Sequence, residues 1–151
     1  MRRFKRGHLP LPGKIPYYVS GLQEFIQLED YALKGVIDGR AVTDNILMLV
    51  LGLGHSFGGG MMIAPRASPQ SGRFQVVRLR RLSRLQGLGL LPRIFQGKHL
   101  GHPRVEAGFA AEVKLITDPP ACVEAEGEPL GQTPLEANLI PRALNLAARL
   151  R

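Results

Sequence analysis

The residues best placed for chemistry in this sequence are two glutamates, Glu126 and Glu128, on either side of Gly127. Pro129 follows at once, and Gly131 to Pro134 have turn composition. A strand-like run through Cys122, Val123 and Ala125 leads into the pair, so the carboxylates are expected at a strand end. Glycine there tolerates backbone conformations that other residues resist. Two neighbouring carboxylates repel when both are ionised, which raises the proton affinity of one and suits it to general-base work. The competing reading is a solvated hairpin tip with two surface glutamates. The residues alone leave both open.

A second stretch with chemical potential is Gly58-Gly59-Gly60, followed by Met61-Met62-Ile63-Ala64-Pro65. Three glycines let a backbone approach a ligand or another backbone, or expose amides to a phosphate. No Lys-Ser/Thr follows, so this is not a P-loop, and the spacing does not fit a dinucleotide fingerprint. A tight bulge between strands explains the run equally simply. Met61 and Met62 read as core filler. His55 is assigned no chemistry.

The elements that must position these stretches are mostly strands. Eighteen glycines and twelve prolines favour many turns. Residues 31–37, the turn Asp38-Gly39 and a second extended run form a hairpin signal, in which Asp38 is a turn former. Residues 46–53 read as a buried strand. Residues 74–79 alternate imperfectly, with Phe74, Val76 and Arg78 opposed to Gln75, Val77 and Leu79. Residues 82–95 carry leucines at helical spacing, with Ser83 suited to cap the start and Gly97 the end. Arg80, Arg81, Arg84 and Arg93 border that helix. It suits either a core-packed helix with a solvated basic face or one lying on a membrane surface. Strands are expected at 111–116, 121–126 and 135–140, the first two joined by residues 117–120. An amphipathic helix is expected at 15–28. Residues 143–150 have helix-forming composition.

The chain has 151 residues, 44% of them hydrophobic, enough for one domain with a core. Residues 1–13, basic and broken by Pro10, Pro12 and Gly13, read as a flexible lead-in to a domain over 14–151. The net charge of +8 favours polyanionic partners. Nucleic acid has only that charge in its favour: aromatics are 6%, tryptophan is absent, and no zinc or helix-turn-helix pattern occurs. No nucleic-acid partner is therefore expected. The single cysteine, Cys122, excludes an internal disulfide and a cysteine-based zinc site. Its strand context predicts a buried, inert thiol. One cysteine and no secretion signal point to the cytoplasm.

These pieces stand in a particular order. An Asp-Gly hairpin precedes a strand into FGGGMMIAP (57–65) and the loop Ala67-Ser68-Pro69 to Gly72. A leucine- and arginine-rich helix follows, then His102-Pro103, then two strands into EGEPLGQTP (126–134). The order resembles the C-terminal domain of bacterial diacylglycerol kinase-like lipid kinases, itself similar to that of sphingosine kinases, over about residues 14–147. The resemblance implies a mainly β fold, an antiparallel β-sandwich with one or two helices. It also implies that the family pattern ends in a strand, so residues 143–146 are read as strand despite their composition. It implies a second, nucleotide-binding domain with a GGDGT motif. No such motif occurs here, so the chain is expected to be a C-terminal half, as a fragment or a protein standing alone.

The activity implied is transfer of the γ-phosphoryl group of ATP to a diacylglycerol-like lipid hydroxyl, with Mg²⁺ and a base for the hydroxyl proton. The family's proton acceptor falls on Glu128. Its neighbouring aspartate falls on Glu126, one methylene longer. The family's metal-holding loop falls on Ser68, Ser71 and Arg73, the first and last through backbone carbonyls. Ser71 and Gln70 replace carboxylates, so the Mg²⁺ site is expected to be weak or empty. Leu53 stands where the family has asparagine. The losses fit a divergent or inactive copy. The partners implied are a lipid substrate, an anionic membrane surface and a nucleotide-binding domain in the same or another chain. The place implied is the cytoplasmic side of the inner membrane, as a peripheral protein. The alternative is a non-catalytic basic module that binds anionic membrane surfaces or a partner chain.

Overall fold

The computed structural model describes residues 29–57 and 59–143. The helix expected at 15–28 and the segment from 144 onward lie outside the described residues. The fold is mainly β and antiparallel, with one α-helix among the described residues. Strands β1 (Tyr31–Ile37), β2 (Arg40–Gly52), β3 (Phe74–Arg80), β4 (Val105–Ala110), β5 (Glu112–Asp118) and β8 (Leu135–Asn138) form one sheet in the order β4-β3-β2-β1-β5-β8. Strands β6 (Cys122–Ala125) and β7 (Glu128–Gln132) form a separate two-stranded hairpin. Helix α1 (Arg84–Phe95) follows β3, and a short 3₁₀ turn (His99–Gly101) precedes β4.

Local chemistry accounts for most of these elements. Asp38 and Gly39 have φ of 45° and 75°, the positive pair that a two-residue hairpin loop requires. They join β1 to β2 in register from Ile37–Arg40 to Tyr31–Ile46. At α1, the Ser83 hydroxyl accepts from Gln86 N–H and the Gln86 side chain accepts from Ser83 N–H, a reciprocal capping box. The helix stops at Gln96, and Gly97 follows with φ 67°. Gly59 and Gly60 lie in a tight turn: Phe57 and Met61 exchange backbone hydrogen bonds of 3.1 and 3.0 Å on either side of it. A Cβ on Gly60 would meet nothing within 4 Å, and its φ is 97°. Glycine there serves backbone conformation and not close packing.

The imperfect alternation of β3 has a simple cause. It is an interior strand buried on both faces. Val77 and Leu79 pack with Leu90 and Ile94 of α1, Ile63, Ala64 and Ala67 of the preceding loop, and Val105. Val76 points the other way, into a cluster with Leu33, Ile46, Ala110, Val113 and Leu115. Each fully buried side chain of this size contributes roughly 1.5–3 kcal/mol through loss of apolar surface. Gly35 is required where β1 meets β5, because a Cβ there would lie 2.2 Å from the Lys114 carbonyl oxygen.

The sheet is curled. Only Ala111 separates β4 from β5, although four steps of the sheet order lie between them. Asp38 ties this junction. Its Oδ1 accepts from the N–H groups of Ala111 (2.8 Å) and Glu112 (2.9 Å), and its Oδ2 pairs with the Arg73 guanidinium. The reading of Asp38 as a turn former holds, and the residue also closes the curl.

Cys122 corrects an expectation. It is exposed, not buried. The strand pattern that carries it belongs to the β6–β7 hairpin, which pairs with itself and not with the six-stranded sheet. Alternation marks a strand without stating that either face packs. Strand β4 was not anticipated, because Val-Glu-Ala-Gly-Phe-Ala has little β signal and needs only one partner, β3. Strand β7 begins at Glu128 and runs into the stretch Gly131 to Pro134 that has turn composition. It accommodates Pro129 and Gly131 because β6 is its only strand partner among the described residues.

Candidate active site

Glu126 and Gly127 form the two-residue tip of the β6–β7 hairpin, with φ of 51° and 86°. A non-glycine residue with positive φ is uncommon, and asparagine or aspartate is the usual occupant. Glu128 opens β7, opposite Ala125. Both glutamates are exposed, and neither side chain forms an ion pair among the described residues. Every residue of β7 is exposed. The structure therefore places the two glutamates two residues apart at the turn of one exposed hairpin, at a strand end, outside the six-stranded sheet.

The base of the arm is tightly specified. The hydroxyls of Thr117 and Thr133 lie 2.7 Å apart. The Ala121 N–H reaches both, at 2.9 and 3.1 Å, and the Ala121 carbonyl accepts from Thr133 N–H at 2.9 Å. Thr117 is buried. This clamp joins the end of β5 to both legs of the hairpin. Sequence reading missed it, since two threonines sixteen residues apart carry no local signal.

A charged cleft of about 590 Å³ opens at the same end of the sheet, lined by Asp30, Asp44, Arg80, Arg81, Arg104 and Asp118 among others. Arg81 pairs with Asp30. Arg80 Nε donates to both Asp44 oxygens, at 2.8 and 3.1 Å, and Arg80 also reaches Glu106 at 2.6 Å. Arg78 pairs with Asp44 at 3.3 Å and with Glu106. The Asp44 carboxylate holds the Arg80 guanidinium protonated above the usual range. This network was also missed, although Arg78 falling in phase with Phe74 and Val76 was its one visible trace.

Ser68, Ser71 and Arg73 do come together, but not with the glutamates. Ser71 Oγ lies 2.7 Å from the Ser68 carbonyl oxygen and 2.8 Å from that of Arg73. Arg73 meets Asp38 at the start of β5, whereas the hairpin leaves from its end. Seven residues of strand separate the two by about 20 Å. No group of three or more His, Cys, Asp or Glu side chains that could hold a metal occurs among the described residues.

Helix α1 shows two faces. Leu90 and Ile94 are in the core. Leu85 and Leu88 face outward, 82% and 55% exposed. No helix among the described residues is long and apolar enough to cross a membrane.

The described residues form a curled antiparallel β domain that carries an exposed acidic hairpin arm. The chain belongs to the family described as the YegS C-terminal NAD kinase beta sandwich-like domain, which matches residues 2–148. It is 29% identical over 135 residues to a diacylglycerol kinase of Mycobacterium tuberculosis, covering 89% of this chain and 43% of that protein. It is 25% identical over 122 residues to a diacylglycerol kinase of Staphylococcus carnosus, covering 81% and 40%. A crystal structure of a diacylglycerol kinase from Bacillus anthracis str. Sterne shares the fold with a TM-score of 0.63 at 20% identity, covering 85% of this chain and 44% of that one. The chain thus spans less than half the length of these relatives.

Proposed function

We propose that this chain is the acceptor-side domain of an ATP-dependent lipid kinase, and that Glu128 is its general base. The observation that supports this reading is the clamped, solvent-projecting hairpin whose tip is Glu126-Gly127-Glu128, in a domain whose relatives are diacylglycerol kinases. A diacylglycerol-like hydroxyl approaches the arm. Glu128 accepts its proton as the oxygen bonds to the γ-phosphorus and the bond to the ADP oxygen breaks. Glu126, two residues earlier, keeps the tip anionic and orients it. ATP would supply the phosphoryl group, its bound Mg²⁺ would neutralise the phosphate charge, and a nucleotide-binding domain in the same or another chain would hold both. The residues of this chain alone give no turnover.

The test is Glu128→Gln in this chain fused to the nucleotide-binding domain of a related kinase. Turnover of diacylglycerol falls by about 10²-fold, the usual scale for a lost general base. Stability stays within about 0.5 kcal/mol, since the residue is exposed. Glu126→Gln costs less. Unchanged turnover in the Glu128 variant would remove the assignment.

The exposed leucines of α1 favour a second, compatible role. Leu85 and Leu88 sit between Arg81 and Arg93, an arrangement suited to an anionic lipid surface. A module that only binds membranes keeps vesicle binding with no dependence on Glu128. The kinase reading requires both.

A further inference from the structure

The loop before β3 closes through one side-chain oxygen. Besides its contacts of 2.7 and 2.8 Å to the Ser68 and Arg73 carbonyl oxygens, Ser71 Oγ accepts the Arg73 N–H at 3.2 Å. The Ser71 N–H donates to the Ser68 carbonyl at 3.0 Å. Two carbonyl oxygens thus converge on one point, as they would around a hard cation. The distances, however, are those of hydroxyl hydrogen bonds. Oxygen ligands lie about 2.0–2.1 Å from Mg²⁺ and about 2.3–2.6 Å from Ca²⁺. The single hydroxyl proton serves one carbonyl at a time.

The donor set does not fit a divalent cation. The Ser68 hydroxyl is engaged with Gln70, through both the Gln70 side chain and its N–H. The carboxylate that reaches the loop is Asp38, and its oxygens already hold two backbone N–H groups and the Arg73 guanidinium. A cation at this point would have two neutral carbonyls, no free carboxylate and an arginine nearby. Mg²⁺ gives up its water shell reluctantly and prefers sites with at least one carboxylate.

We propose that the Ser71 hydroxyl stands where the resemblance places the metal, so that this loop is closed by a hydrogen-bonding side chain and the domain needs no divalent cation there. The Arg73–Asp38 pair then fastens the closed loop to the β1–β2 turn and the β4–β5 junction. The proposal is independent of the role of Glu128.

Thermal melting of the full chain tests it, in 10 mM MgCl₂ against chelator, for four proteins. The unsubstituted chain melts at the same temperature in both. Ser71→Thr, which keeps the hydroxyl, melts with it. Ser71→Ala melts about 3–6 °C lower, the scale of one or two lost hydrogen bonds in a chain of this size, and Mg²⁺ does not restore it. Ser71→Asp with Gln70→Asp acquires a Mg²⁺-dependent rise of several degrees, because a ligand bound only by the folded state stabilises it. Should Ser71→Ala not fold, faster amide exchange at Arg73 in Ser71→Gly than in Ser71→Thr supports the proposal, and equal exchange overturns it. A Mg²⁺-dependent rise in the unsubstituted chain overturns it. So does a Ser71→Ala variant as stable as its parent, or a double aspartate variant blind to Mg²⁺.

Discussion

Replacing Asp44 by alanine should be among the most damaging single changes to a polar residue in this domain. Its side chain is 9% exposed and that of Arg78 is 13% exposed. Asp44 accepts from Arg80 Nε and from Arg78, while Glu106 serves the outer nitrogens of the same two arginines. Removing one partner of a buried pair costs about 3–5 kcal/mol, because the remaining charge stays desolvated. Here Glu106 still holds both arginines, and Arg80 is partly open to water. The cost therefore falls to about 2–3 kcal/mol. At about 2–4 °C per kcal/mol for a chain of this length, melting drops by about 4–12 °C. Asp44→Asn keeps the shape and loses the charge, and it should cost less. Glu106→Gln, on the open side of the network, should cost within about 1 kcal/mol. Melting followed by circular dichroism at low salt and at 1 M salt separates the cases, since buried pairs are screened weakly. If Asp44→Ala is no worse than Glu106→Gln, water solvates the arginines and the network is a surface feature. Replacing Asp44, Arg78 and Arg80 together by apolar residues should cost less than Asp44→Ala alone, because no charge is then left unpaired.

Acid should weaken the fold in two stages. Burial lowers the proton affinity of His99, and the backbone N–H groups of Glu112 and Ala111, with Arg73, lower that of Asp38. Both groups bind fewer protons folded than unfolded, so stability is full above the unfolded values and is lost on acidification. The first loss begins below about pH 6.5 and the second below about pH 4; His99→Gln should abolish only the first in pH-dependent urea titrations. Glu126→Asn should raise the melting temperature slightly, because asparagine suits a positive φ before glycine. A fall would show that Glu126 supports the tip in another way. Cys122 should react with a thiol reagent in the folded chain at nearly the rate of the unfolded one, and strong protection would show that the hairpin is covered. Leu85→Ser with Leu88→Ser should weaken binding to anionic vesicles while leaving the melting temperature unchanged, since neither side chain is in the core. Equal binding would detach α1 from any membrane role.

What could be read from the sequence was what local chemistry decides. Asp38-Gly39 announces a hairpin because few residue pairs accept two positive φ values. Ser83 announces a helix start because a serine before a leucine-rich helical pattern can cap it; that Gln86 completes a capping box came only with the structure. The site of Glu126 and Glu128 at a strand end followed from the alternating run through Cys122, Val123 and Ala125 that leads into it. The role of Glu128 did not, and rests on the resemblance. What could not be read depends on distance along the chain. Asp38 meets the Ala111 N–H seventy-three residues away. Asp44 meets Arg78 thirty-four residues away, and a part-buried charge pair looks in sequence like two ordinary surface residues. Cys122 was misplaced because period-two alternation identifies a strand but not the layer it packs on.

The two ends of β5 have different physical characters, and this bears on how a base at the hairpin tip would work. At the start of β5, Asp38, Arg73 and Ser71 bind the β1–β2 turn, the β4–β5 junction and the loop before β3 into one unit. At its end, the Thr117–Thr133 clamp fixes only the root of an arm whose outer strand is exposed throughout. A two-stranded hairpin on its own is marginally stable in water. The clamp sets the direction of the arm, but nothing in the six-stranded sheet pairs with its strands. A carboxylate carried there is well aimed and poorly enclosed. Proton abstraction needs the acceptor hydroxyl within hydrogen-bond reach and water excluded. On the kinase reading the fold supplies orientation, and the enclosing wall comes from a domain that docks against the arm. On the kinase reading that wall is the nucleotide-binding domain. Glu128 then becomes an effective base only when the arm and the phosphoryl donor are brought together, which keeps the isolated arm from acting on water or lipid by itself.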